Sequence, residues 1–376
     1  MYISYDDGTS WKKFQLNLPV VPITDLAIKN NDLVVATQGR SFWALDDLFV
    51  VRQDAQGAGT GKVVLYGPGK VEMRIGDGGD ADDFEGSNPP RGVPLFYRLD
   101  AEAEGPLTIE ILDSGGRVIR TMGSEESARD KCLMANEDPR SPLELKYPVK
   151  KQGLNKWTWD LRRDGVACIE DVDLFAGFDG PRVPPGEYRA RVSAGGASAE
   201  APFTLMPDSR VTASPEEIRT WSARLEETAA LLDQVLRALK EARAARIDVE
   251  GLMADHPGDA ELQQAGAKAI EALTVWDRLI NQHLHQTAED EDAWETMLAG
   301  QVRYLMDVIE SSGAPVTGGQ LERLADLQSE WATRRADLAS ITSERLEPIN
   351  EWARQRGIKH VTAPAPGIPS GYSGAP

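Results

Sequence analysis

The spacing of apolar residues changes character twice along the chain. At the N-terminal end, Ile23-Thr24-Asp25-Leu26-Ala27-Ile28 alternates and Leu33-Val34-Val35-Ala36-Thr37 is a short apolar run, both strand signals. Between them Lys29-Asn30-Asn31-Asp32 is rich in turn formers, and Ser41-Phe42-Trp43-Ala44-Leu45 predicts a third strand after Gln38-Gly39-Arg40. The pattern then lapses over 51–92. The stretch from Gly57 to Gly61 and Gly76-Asp77-Gly78-Gly79-Asp80-Ala81-Asp82-Asp83 cannot build a core, which predicts linker around one short strand at 62–66. Alternation resumes at 95–99, at 107–112, across the Asp113-Ser114-Gly115-Gly116 turn to 117–122, at 156–161, at 188–192 and at 199–205. A polar, irregular insertion is expected over 123–150.

From Ser214 the period becomes about 3.6. Ser214-Pro215-Glu216-Glu217 combines an N-cap serine, proline at N1 and a capping-box glutamate, so a helix is predicted to start there. Ile218, Trp221, Leu225, Leu232, Leu236 and Leu239 form its apolar stripe. A second helix is expected from about Asp259 with Leu262, Ala269, Leu273, Trp276 and Ile280 on one face. A third is expected from about Asp292 with Trp294, Leu298, Val302, Leu305 and Ile309, ending at Gly313. The fourth starts at Thr317, with Gln320 in the capping-box position, and runs through Leu321, Leu324, Trp331, Leu338 and Ile341 to Arg356-Gly357. Four such stripes bury one another as an antiparallel bundle.

With 376 residues there is room for two or three domains. The 41 basic side chains face 60 acidic ones, a net charge of −19. Phosphate binding needs clustered Lys and Arg, and no basic run offsets this field, so neither nucleic acid nor an anionic membrane surface is expected as a partner. No apolar run is long enough to span a bilayer. The start of the chain carries no charged segment leading into an apolar one, hence no export signal of its own. Two cysteines, Cys132 and Cys168, exclude a disulfide-dense module; a bridge and two partly buried thiols both remain open.

Ser4-Tyr5-Asp6-Asp7-Gly8-Thr9-Ser10-Trp11 fits S-x-D-x-G-x-x-W, the Asp-box hairpin of sialidase-type (BNR-repeat) propeller blades. Residues 1–50 are therefore expected to form one four-stranded blade of the usual repeat length, with no second copy in the chain. Since the chain starts inside a blade, it is expected to be the C-terminal part, a fragment, of a larger propeller protein. The stretch Val34-Val35-Ala36-Thr37-Gln38-Gly39-Arg40-Ser41-Phe42-Trp43-Ala44-Leu45-Asp46-Asp47 resembles the last blade of bacterial sortilin-like propeller proteins, commonly labelled glycosyl hydrolases. Gly153-Leu154-Asn155-Lys156-Trp157-Thr158-Trp159-Asp160-Leu161-Arg162, with Gly180-Pro181-Arg182-Val183-Pro184-Pro185-Gly186-Glu187-Tyr188, resembles the Ig-like domain that follows the propeller there. A similar domain occurs in the flagellar hook-capping protein. The helical pattern, including Gly313-Ala314-Pro315, is similar to that family's C-terminus.

The resemblance covers nearly the whole chain and implies a multidomain β and α protein. Its parts would be a terminal blade of an incomplete propeller (1–50), a linker (51–92), an Ig-like β-sandwich (93–207), a four-helix bundle (208–361) and a disordered tail (362–376). It also implies a secreted or periplasmic parent. Gln38 departs from the pattern, standing where the T-H-G-R form of the blade motif has histidine. In related hydrolases the acid and base carboxylates project from loops of other blades, so none transfers to a position here.

The Asp-box side chains Ser4, Asp6, Gly8 and Trp11 carry conformation rather than catalysis. Asp6 is expected to accept backbone N–H bonds, Gly8 to supply positive φ and Trp11 to pack between sheets. Glycoside hydrolysis needs two carboxylates held across a sugar, and in so acidic a chain no pair stands out. Asp77, Asp80, Asp82, Asp83 and Glu85 offer oxygen ligands for Ca²⁺ but lack the D-x-D-x-D-G spacing, and read as solvated linker. His283 and His285 are two apart, on different faces of a helix, and there is no i, i+4 histidine pair to hold zinc. G-x-S-x-G and G-x-x-x-x-G-K-[ST] are both absent. Trp157 and Trp159 face one side of a strand; exposed they would stack on a sugar ring, buried they are core. Trp221, Trp276, Trp294 and Trp331 read as core.

No catalytic, cofactor-binding or metal-binding residue is assigned. The expected function is a non-catalytic C-terminal scaffold and interaction region of an exported propeller protein, its partners being the upstream blades, then carbohydrate or protein. The alternatives are a fragment of a glycoside hydrolase whose carboxylates lie in missing upstream blades, and a carbohydrate-binding accessory domain.

Overall fold

A computed structural model describes residues 1–29, 31–73, 91–136, 145–172, 174, 176–284 and 294–362. The Asp77–Glu85 acidic run, His285 and residues 363–376 of the expected tail lie outside the described residues. The chain combines several β-sheets with a C-terminal helical region. It divides into two compact units. One is made of Met1–Glu125, Lys146–Leu161 and Pro185–Val211, the other of Glu126–Leu145, Arg162–Pro184 and Thr212–Pro376. The expected 93–207 domain is thus corrected: two of its loops fold with the helices.

In the first unit β1 (Tyr2–Ile3) and β2 (Lys12–Lys13) form a two-stranded hairpin. Strands β3 (Ile23–Lys29), β4 (Asp32–Thr37) and β5 (Phe42–Leu45) form a separate antiparallel sheet. The expected four-stranded blade is therefore not formed, because the hairpin shares no ladder with β3. The intervening chain contains Pro19 and Pro22, which have no N–H to donate, and Leu16 at φ 46°, all of which interrupt extended pairing. Helix α1 (Phe49–Ala55) stands where linker was expected. Seven residues are too few to show a helical period, and packing holds them instead: Phe49 and Val50 cluster with Val64 and Tyr66, and Gln53 bonds both backbone groups of Gly67 at 2.7 and 3.0 Å.

The rest of this unit is two facing sheets. Strands β6 (Val63–Tyr66), β8 (Val93–Leu99) and β11 (Gly153–Trp159) form one, in the order β11-β8-β6. The other has the order β10-β9-β12-β13-β7, from β7 (Gly69–Glu72), β9 (Leu107–Leu112), β10 (Val118–Gly123), β12 (Gly186–Ala194) and β13 (Ala197–Met206). Strand β7, absent from the sequence reading, pairs parallel with β13. Period-two alternation points Val93, Leu95, Tyr97 and Leu99 inward from one sheet, and Tyr188, Ala190 and Val192 from the other. Trp159 is fully buried between the sheets, edge-on to Tyr188 and Phe203. Gly92 must lack a side chain here: a Cβ would stand 1.9 Å from the Trp159 carbonyl oxygen.

The second unit contains the short helix α2 (Ala128–Ala135), then α3 (Pro215–Asp255), α4 (Ala260–Ile280), α5 (Leu298–Ser312), α6 (Gly318–Ile341) and α7 (Glu347–Gln355). The Ser214–Glu217 and Thr317–Gln320 capping boxes close as expected, and Asp259 caps α4. Two expectations are corrected. Helix α5 starts only at Leu298, behind an N-cap Met297 that makes no side-chain bond, so Trp294 lies ahead of it and is 45% exposed rather than core. The last helix runs to Gln355 as expected, with a π turn over Thr342–Leu346 inside it joining α6 to α7. Pro348 has no N–H for the i−4 carbonyl, and the wider turn absorbs the mismatch. Leu321, placed on the apolar stripe by period, is also exposed.

Helix α3 packs on α4 and α5, and α6 on both of those. Their apolar faces merge with a strap, Arg162–Pro184, whose Val166, Ile169, Val172, Leu174 and Phe178 enter the same buried cluster. Cys132 of α2 and Cys168 of the strap are joined by a disulfide, which settles the alternative the sequence left open.

Candidate functional site

The Asp-box turn closes on itself. Asp6 Oδ1 accepts from the Ser10 amide at 2.8 Å and Oδ2 accepts from the Ser10 hydroxyl at 2.6 Å. The Ser4 hydroxyl donates to Asp6 and accepts from the Gly8 amide at 2.7 Å. Gly8 sits at φ 85°, a region a Cβ disfavours. The Ser10 hydroxyl bond, then the Ser10 amide and Ser4, hold the Asp6 carboxyl below its ordinary range. Trp11 corrects the expectation of packing between sheets. It is 62% exposed and covers only its own turn, donating its indole N–H to the Gly8 carbonyl at 3.1 Å. All four residues thus meet in one place, but every polar group named is spent on holding the turn.

Trp157 and Trp159 do not form a sugar platform. Trp159 is wholly interior. Trp157 is half-buried, with its indole N–H 3.0 Å from Met122 Sδ. A stacking face would need both rings open to solvent, so the sugar-stacking assignment of Trp157 and Trp159 is withdrawn.

The densest charged constellation surrounds the strap, and the sequence reading missed it. Arg162 grips Glu310 through two bonds of 3.0 and 2.6 Å, and the Arg182 amide adds a third at 3.2 Å. Arg163 pairs with Glu226 at 2.7 Å. Asp233, buried on α3, accepts from the Ala167 amide at 2.8 Å and from Arg237 at 2.7 Å. Arg303, buried on α5, donates to the carbonyls of Gly177 and Ala176 at 2.8 and 2.5 Å, and its burial lowers the affinity of the guanidinium for its proton. Arg129 of α2 reaches the carbonyls of Val166 and Phe178. Gly165 and Gly180 permit this crowding: a Cβ on Gly165 would be 2.3 Å from the Phe178 oxygen, and one on Gly180 2.2 Å from the Asp164 oxygen. The signal was present in the sequence, since Asp233 and Arg303 fall inside apolar helix faces, where a charge needs a partner.

Glu310, Glu226 and Asp233 each face an arginine, and Glu310 and Asp233 also a backbone amide, an arrangement of structural ion pairs rather than of an acid set against a base. An open groove of about 430 Å³ between α4 and α6, lined by Glu271, Val275, Leu279, Ile341 and Arg345 among others, includes no histidine, cysteine or serine. Among the described residues no group of three His, Cys, Asp or Glu side chains could hold a metal ion, and no helix is long and apolar enough to cross a membrane. Comparison with known protein families and with curated proteins finds no match for the chain.

Proposed function

We propose that the chain is a non-catalytic scaffold and interaction region whose N-terminal strands are propeller-blade strands that pack against further blade sheets. The observation that carries the reading is the apolar surface of residues 1–45. Phe42 is 76% exposed and Ile28 64%, and Tyr2, Tyr5, Trp11, Leu16, Val20 and Leu26 are exposed as well. Leu26 and Ile28 share one face of the β3–β5 sheet and Phe42 lies on the other, so large apolar side chains stand open on both faces, which supports cover by further sheets. The closed Asp-box turn and the resemblance of 34–47 to a terminal blade support further blade sheets as that cover. In this reading the two facing sheets are the Ig-like domain and α3–α7 the bundle, both structural modules of the same scaffold. The pairing of the interior carboxylates with arginines supports a structural over a hydrolytic role.

The test uses the full chain. Amides of 23–45 should exchange with solvent at least about a hundredfold faster than those of α3, and plant and bacterial glycans should not be hydrolysed. Adding a polypeptide with further Asp-box blades should slow exchange in 23–45. Turnover by the chain alone, or strand amides already as slow as those of α3, overturns the proposal.

A further inference from the structure

The bond between Cys132 and Cys168 joins two segments of unequal independence. The strap has anchors of its own: five apolar side chains in the helical core, the Ala167 amide on Asp233, the Arg162–Glu310 pair, and two carbonyls held by Arg303. Helix α2 has few. It is eight residues long, its capping box at Ser127 is exposed, and Cys132 is its one buried residue. Beyond the disulfide it is held by Arg129, by Leu133 packed at the edge of the core, and by Asn136, whose amide N–H reaches the Ile169 carbonyl at 2.7 Å. A helix this short does not persist without tertiary support, and a few hydrogen bonds do not offset the ordering of some ten residues.

Asn136 has a second role. Its Nδ2 lies 3.7 Å from Cys168 Sγ and 4.0 Å from Cys132 Sγ, so an amide N–H faces the sulfur pair. Such a donor stabilises a thiolate and makes either sulfur a better leaving group in exchange. Cys168 is the less buried residue of the two, which favours attack at its sulfur.

We infer that Cys132–Cys168 is a redox-releasable clasp, with Asn136 as the donor that eases its opening: reduction frees α2 while the strap stays docked on the helices. With a small dithiol as reductant, one thiolate attacks Cys168 Sγ, and the Cys132 thiolate leaves and is protonated. The second reagent thiol then displaces Cys168, which is protonated in turn, and the reagent closes to its own disulfide. Two electrons and two protons pass to the protein.

Hydrogen exchange on the full chain, oxidised and then reduced with dithiothreitol, tests this. Amides of Ala128–Ala135 should exchange at least about tenfold faster after reduction, while those of 166–172 and 298–312 keep their rates. The full-chain variant Cys132→Ser/Cys168→Ser should reproduce the reduced pattern without reagent. In Asn136→Ala, reduction by dithiothreitol should slow about threefold or more. Unchanged protection of α2, or loss of the strap's protection together with it, overturns the release. Reduction as fast or faster in Asn136→Ala overturns the role given to that side chain.

Discussion

Arg162 holds Glu310 in a two-pronged grip, with bonds of 2.6 and 3.0 Å across 148 residues of sequence. The carboxylate is only 8% exposed and also meets Arg182, its guanidinium at 3.3 Å and its amide at 3.2 Å. Glu310→Gln keeps the volume but removes the charge between two guanidinium groups. Since both arginines retain some water, the cost should fall below that of a fully buried pair, at about 2 kcal/mol. Urea unfolding of the variant should show a lower midpoint with an unchanged slope.

Gly180 packs directly beneath the strap's other arm. In Gly180→Ala a Cβ would stand 2.2 Å from the Asp164 carbonyl oxygen and 2.5 Å from that of Arg163, contacts that backbone cannot yield to cheaply. The expected loss is about 2–3 kcal/mol. It should appear as faster exchange across 166–172, with little change in β8 and β12.

Truncating Trp159 removes the largest interior side chain of the two-sheet core. Trp159→Ala should cost about 4 kcal/mol, read from thermal or denaturant unfolding, and Trp159→Phe markedly less. Millimolar oligosaccharides should leave tryptophan fluorescence unchanged; a saturable change would restore the carbohydrate-binding alternative.

The Asp-box turn should depend on pH with a definite sign. Bonds from Ser10 and Ser4 favour the charged Asp6, so its carboxyl in the turn titrates below the ordinary value of 3.8. A group depressed in this way contributes stability above its unfolded pKa and loses it as pH falls through its folded one. Carboxyl carbon shifts should therefore place the Asp6 midpoint below those of exposed aspartates, with the Ser10 amide resonance moving at the same pH. In Asp6→Asn that coupled movement should vanish.

Local signals survived translation into structure where the interaction that fixes an element lies within a few residues of it. The serine and threonine caps of α3 and α6, the aspartate cap of α4 and the alternation in β8 and β12 belong to that class. Trp294 failed because a 3.6-residue period extends past a helix end that no capping side chain announces. Helix α1 and strand β7 are held by Gln53 on Gly67 and by pairing to β13, partners 14 and more than 100 residues away. Helix α2 had a readable cap in Ser127 and Asp130 but sat among polar residues with no apolar stripe. Of the candidate site, the Asp-box turn was legible because its bonds close within seven residues. The charges around the strap were legible only by half: Asp233 and Arg303 stand inside apolar helix faces, but the Ala167 amide and Gly177 carbonyl they meet lie 66 and 126 residues away in sequence.

The strap's membership in the helical unit means the protein cannot be divided with a single cut. Severing the chain at 207/208 would leave α3–α7 without the segment that covers part of their apolar surface, and would leave that segment stranded on the other product. A fusion or deletion made at that boundary would leave neither half intact, so the two units have to be expressed as one chain.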